Sequence, residues 1–104
     1  MRLHRDRFAD VVSRQLDLFE QEHADLIVEC VDAERAYDRA DREEAEERYG
    51  EYVDLVETAT EVLADLRWSY RAALDDDASE EYEASFNRAV AKRLPRFKLE
   101  IEDR

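Results

Sequence analysis

Apolar positions along the chain fall into two stripes of the same period. Val12, Leu16, Phe19, His23, Leu26, Cys30, Ala33, Tyr37 and Ala40 follow one another at alternating spacings of four and three, with His23 the one polar member. That is the signature of one face of a long helix. Ala45, Tyr49, Tyr52, Val56, Ala59, Leu63, Leu66, Tyr70 and Ala73 repeat the pattern, but the step between the two stripes breaks it. The break falls between Asp41 and Glu44. If the chain reverses there, seam residues meet whose numbers sum to 82: Tyr37 with Ala45, Ala33 with Tyr49, Cys30 with Tyr52, Leu26 with Val56, Phe19 with Leu63, Leu16 with Leu66 and Val12 with Tyr70. The pairs alternate large with small, as two antiparallel helices require in order to approach closely.

Local signals set the boundaries. The first helix is expected over 5–39 and the turn at 40–41. Asp41 followed by Glu44 forms a capping box, and Glu43, Glu44, Glu46 and Glu47 favour a helix N-terminus, so the second helix is expected over 42–74. Asp75-Asp76-Asp77 reads as a solvated loop that ends in a cap. Asp77 with Glu80 opens a third helix over 78–94, whose stripe is Tyr82, Phe86, Ala89, Val90 and Leu94, and Pro95 stops it. The segment 95–104 alternates apolar with polar from Phe97 to Ile101, the period of an extended strand, and is expected to be an extended arm. Gly50 lies within the second helix at a cost of about 1 kcal/mol against Ala. A close approach of backbones beside Tyr49 and Tyr52 would explain it.

The chain therefore reads as all-α and as one helical domain, a long antiparallel hairpin with a short third helix and an extended C-terminal arm. Apolar residues also lie outside the seam: Phe8, Val11 and Leu18 on one flank of the first helix, Ala24, Ile27, Val28 and Val31 on the other, and Val53, Leu55 and Val62 on the second. One partner helix cannot cover so wide a surface. A second copy of the hairpin is the expected cover, which gives a homodimer with a four-helix core and interface residues Ile27 and Val31. Trp68 stands on the face opposite Leu63, Leu66 and Tyr70, between Ala64 and Ala72, and is expected to be a contact residue covered by the arm residues Phe97, Leu99 and Ile101.

Composition narrows the function. Twenty-nine acids against 16 bases give a net charge of −13, which disfavours nucleic acid and anionic membranes as partners. The excess of Arg over Lys, 14 to 2, bears on source and solubility, not function. The charge is uneven: residues 86–98 hold five bases and no acid, so this segment is +5 and the remainder −18. Its obvious counter-surface is the acidic hairpin itself. The basic opening, Met1 to Phe8, has no apolar run behind it and does not read as a signal peptide, and no run is long enough to span a bilayer. Cys30 is the single cysteine, a small buried hydrophobe by its seam position, so no internal disulfide can form. A cytoplasmic protein is the simplest expectation.

Little in the chain suggests catalysis. No nucleophile stands beside a base, and there is no glycine-rich phosphate loop; no cofactor is expected. The tyrosines Tyr37, Tyr49, Tyr52 and Tyr70 fall on the seam, where packing explains them. Glu20 and His23, three apart on one helix, have the spacing by which carboxylate bundles offer one carboxylate and one imidazole to iron. In this the chain resembles encapsulated-ferritin subunits, acidic hairpins that build a di-iron site on dimerisation, and the resemblance implies metal binding by Glu20 and His23. Against it, the seam register sets His23 opposite Ala59 and turns Glu57 and Glu61 away. A hydrogen bond from His23 to Thr60 or to a group of a partner chain, fixing register, is the simpler expectation. A non-catalytic helical assembly or protein-interaction module is thus expected, possible protein partners included, with a ferritin-like metal protein as the alternative.

Overall fold

The computed structural model describes residues 6–104. Its elements are α1 (Ala9–Glu22), α2 (Ala24–Arg39), α3 (Ala45–Arg71), α4 (Asp76–Arg93), one 3₁₀ turn (Pro95–Phe97) and α5 (Lys98–Glu102), with no strand among the described residues. His4, and the expected helix start at Arg5, lie outside the described residues. The all-helical reading and the reversal at Asp41 hold. Asp41 Oδ1 accepts from the backbone N–H groups of Glu43 and Glu44, both at 3.1 Å, so it caps the turn that leads into α3. That satisfies two of the donors a helix start leaves open.

Two of the expected elements are corrected. The first helix is not continuous. His23 leaves helical geometry at φ −121° and ψ 29°, and splits it into α1 and α2. The hydrogen bonds His23 N–H to Phe19 O (2.9 Å) and Ile27 N–H to His23 O (3.1 Å) survive, so no residue is gained or lost and the seam spacing runs through the kink unaltered. Tertiary packing supplies the reason for it. α2 lies along α3, whereas α1 turns away and packs on α4. Arg93 of α4 ties that crossing, donating to Ser13 O at 3.2 Å, Asp17 at 2.8 Å and Glu20 at 2.9 Å.

The arm is helical, not extended. Phe97 and Ile101, four apart, are 1% and 0% exposed, while Leu99 between them is 74% exposed. Over so short a stretch a period of two and a single helical turn bury the same pair of residues, and Pro95, pre-set for a first helical turn, favours the helix. The cap of α4 also shifts. Asp75, not Asp77, accepts the Ala78 N–H at 2.8 Å, so the aspartate run opens the helix in place of forming a loop.

The core gathers where these elements meet. Phe8, Val12, Leu16 and Phe19 of the α1 segment join Leu63 of α3, Tyr82, Phe86 and Val90 of α4, and Phe97 and Ile101. Aromatic edges organise it: Phe8 meets Tyr82 at 5.6 Å and Phe19 meets Phe97 at 6.2 Å, both edge to face, and Tyr70 meets Tyr82 at 4.7 Å. The buried Tyr82 hydroxyl donates to Gln15 Oε1 at 2.8 Å. Burial, partly offset by Gln15, pushes its pKa up to about 12 from 10.0. The neutral phenol is thus the folded form, and it contributes stability that is complete below pH 10 and is lost as pH rises towards 12. We expect alkaline titration to remove about 2–3 kcal/mol over that window. Urea midpoints at pH 9 and 11, where about half of that loss has set in, for the wild type and Tyr82→Phe measure it, and an equal loss in both would assign the effect to other groups.

Beyond the core, α2 and the first half of α3 project as a two-helix prong, along the 54 Å long axis of a molecule 32 by 24 Å across. Cys30 and Val56 mark its base, and no residue from 31 to 55 is buried. Gly50 lies on this prong. A Cβ added there would meet nothing within 4 Å, so backbone approach inside the chain does not account for it.

Candidate functional site

The prong and the crook at its base hold most of what the core does not use. Near the tip the Tyr37 and Tyr49 rings lie 5.3 Å apart, diagonal neighbours in the expected register, and are 39% and 52% exposed. At the base, where the 3₁₀ turn passes α2 and α3, a cavity of about 510 Å³ opens between Ile27 and Val31 on one wall and Leu94, Pro95 and Phe97 on the other. Its polar rim is Glu34, Tyr52, Arg93 and Arg96. Arg96 donates to Glu34 Oε2 at 2.9 Å and to the Tyr52 hydroxyl at 3.0 Å, with its guanidinium 5.7 Å from the Tyr52 ring centre. Burial works to lower the Arg96 pKa, and the bonds to Glu34 and Tyr52 outweigh it, so it ends above its ordinary value. This triad fixes the angle between prong and body.

The basic segment does meet the acidic hairpin. Arg88 pairs with Asp6 at 3.2 Å, Arg93 with Asp17 and Glu20, and Arg96 with Glu34. Asp6 also accepts the Ser85 hydroxyl at 2.5 Å and the Phe8 N–H at 2.9 Å. The Ser85 bond, followed by those from Phe8 and Arg88, holds its carboxyl below the usual range against the opposing effect of burial. Lys92 and Lys98 make no ion pair among the described residues.

The residues singled out by sequence are distributed as follows. Ile27 and Val31 are half-buried and share the cavity wall. Phe97 and Ile101 face the core of their own chain, and Leu99 faces out. Trp68 is 64% exposed, with the Arg71 guanidinium against its ring at 5.8 Å and Ala72, Leu74, Asp76 and Ser79 lining a pocket beside it, so the arm does not cover it as expected. Glu20 is held by Arg93, and the His23 ring lies against Phe19 at 5.5 Å. The expected bond from His23 to Thr60 is corrected too: Thr60 donates to Val56 O of its own helix at 2.7 Å, the ordinary outlet for a buried threonine hydroxyl. Among the described residues no three or more His, Cys, Asp or Glu side chains are grouped to hold a metal ion.

Two polar groups were not anticipated. Arg67, only 5% exposed, donates to Asn87 Oδ1 at 2.7 Å and to Ile101 O at 3.0 Å. Gln15 holds Tyr82. Arg67 was discoverable only from its spacing of four from Leu63 and three from Tyr70, which continues the apolar stripe through a charged residue, and no spacing marks Gln15. Among the described residues no helix is long and apolar enough to cross a membrane. No protein-family model, no curated protein and no solved structure matches the chain.

Proposed function

We propose that this chain is a non-catalytic assembly module that acts as a homodimer, with two hairpins packed side by side into a four-helix core. The observation that carries this reading is the prong. A helical pair from 31 to 55 with no buried residue gains little from the hydrophobic effect, and helices in water depend mainly on tertiary packing. Apolar surface is left open along its length, with Tyr37 and Tyr49 exposed near the tip, and Val28, 56% exposed, next to the half-buried Ile27 and Val31 at the base, and a second prong laid alongside would cover it. Sedimentation at tens of micromolar is expected to give a dimer, and Ile27→Glu with Val31→Glu to abolish it. Because those two side chains also abut the core, Val28→Glu with Tyr49→Glu is the cleaner variant: a monomer with unchanged helical circular dichroism is expected. A wild-type monomer would refute the reading.

A further inference from the structure

We propose that in this dimer the tip of each prong seats in the crook of the other copy, so that Tyr37 and Tyr49 enter the cavity walled by Ile27, Val31, Leu94 and Phe97. The inference rests on the dimer reading and adds its register. Three observations support it.

The first is that projection and recess lie on one chain. The tip exposes two aromatic rings in contact, tilted by 54°, and the crook offers a largely apolar cavity of about 510 Å³. That volume is within the range of ~300–1,000 Å³ typical of sites that take a drug-sized molecule, so aromatic side chains fit it. A two-fold dimer needs a self-complementary surface in which each copy supplies both parts, and this surface provides them.

The second is reach. Tyr37 stands six residues beyond Val31, about 9 Å along α2. Two antiparallel α2 helices that cross between Ala33 and Glu34 therefore bring Tyr37 of one copy level with Cys30 of the other, and Ala40 level with Ile27.

Charge is the third. The tip, residues 41–47, holds five acids and one base. The crook lies beside the segment with no acid, where Lys92 and Lys98 carry no ion pair among the described residues. Neither lysine lines the cavity, so an acidic tip brought to the crook is attracted by the longer-range positive field of this segment, whereas two tips placed together would repel.

Two separately tagged variants, Tyr37→Cys and Val31→Cys, are mixed, allowed to exchange and treated with a short bis-maleimide; the buried Cys30 is shielded. A cross-linked heterodimer is expected, and none when Tyr37→Cys is mixed with Arg14→Cys on α1. Lys92→Glu with Lys98→Glu, both at exposed positions, is expected to raise the dimer dissociation constant about tenfold at low salt. If the wild type is a dimer but gives no 37-to-31 cross-link, or if the lysine reversals leave the dissociation constant unchanged, the tip-to-crook register is overturned and the dimer reading stands. A monomeric wild type overturns both, including the case in which a different protein occupies the crook.

Discussion

Truncation after Pro95 is expected to abolish the cooperative fold. The last nine residues were legible as a surface arm, and on that reading their loss would do no more than uncover Trp68. The structure gives them a different role. Phe97 and Ile101 are among the most deeply buried side chains, and Ile101 O is the acceptor that Arg67 requires. Removing a buried Phe costs about 3–5 kcal/mol and a buried Ile about 2–5. Domains of this size are stable by roughly 5–15 kcal/mol in total, so the sum approaches the whole. The truncated chain should retain partial helicity by circular dichroism yet lose its sigmoidal thermal transition. Its Trp68 emission should barely shift, because the indole is already largely solvated in the intact chain. A truncated protein that melts cooperatively within a few degrees of the wild type would show that α5 is an appendage.

The second large effect is expected at Arg67. Its guanidinium is buried with no carboxylate partner among the described residues, and it is held by the Asn87 amide oxygen and the Ile101 carbonyl. It joins α3 to α4 and to the last turn of α5, where the open carbonyls of a helix end favour a cation. Arg67→Ala leaves the Asn87 amide oxygen without its donor, leaves Ile101 O with only the Arg104 N–H, and opens a cavity, and should destabilise by about 2–4 kcal/mol in urea denaturation. Arg67→Lys keeps the charge but cannot span both acceptors in the same fork, and should fall between the two. A loss below about 0.5 kcal/mol for Arg67→Ala would mean that α5 docks through its apolar side chains alone.

Both predictions arise where the sequence pattern and the fold part company. On α3 the seam was counted through Ala59, Leu63, Leu66 and Tyr70. The buried face of this helix is Val56, Ala59, Thr60, Leu63 and Arg67. Thr60 and Arg67 sit at helical spacing from Leu63, but a count of apolar residues passes over a threonine and an arginine. What makes them core residues is a partner for their polar atoms: Val56 O for Thr60, and Asn87 with Ile101 O for Arg67. Such partners come from a neighbouring turn or from residues far along the chain, and no window of sequence contains the latter. The candidate interaction surface divides in the same way. Ile27 and Val31 were visible as an unpaired flank, whereas the opposite wall of their cavity comes from Leu94, Pro95 and Phe97.

By itself the sequence determined the helical class, the reversal at Asp41 and the attraction of the basic segment to the acidic hairpin. Each of these depends on spacing, capping or charge, which are local or additive and can be read from residue order. The tertiary structure decided the kink at His23, the helical state of the tail and the burial of Arg67. At His23 the hydrogen-bond ladder is kept, so no change of period marks the site; only the pull of α4 on α1 distinguishes a bent pair from one straight rod. For the tail, five residues are too few for either period to prevail, and the choice was made by the hollow between α3 and α4 that Phe97 and Ile101 fill.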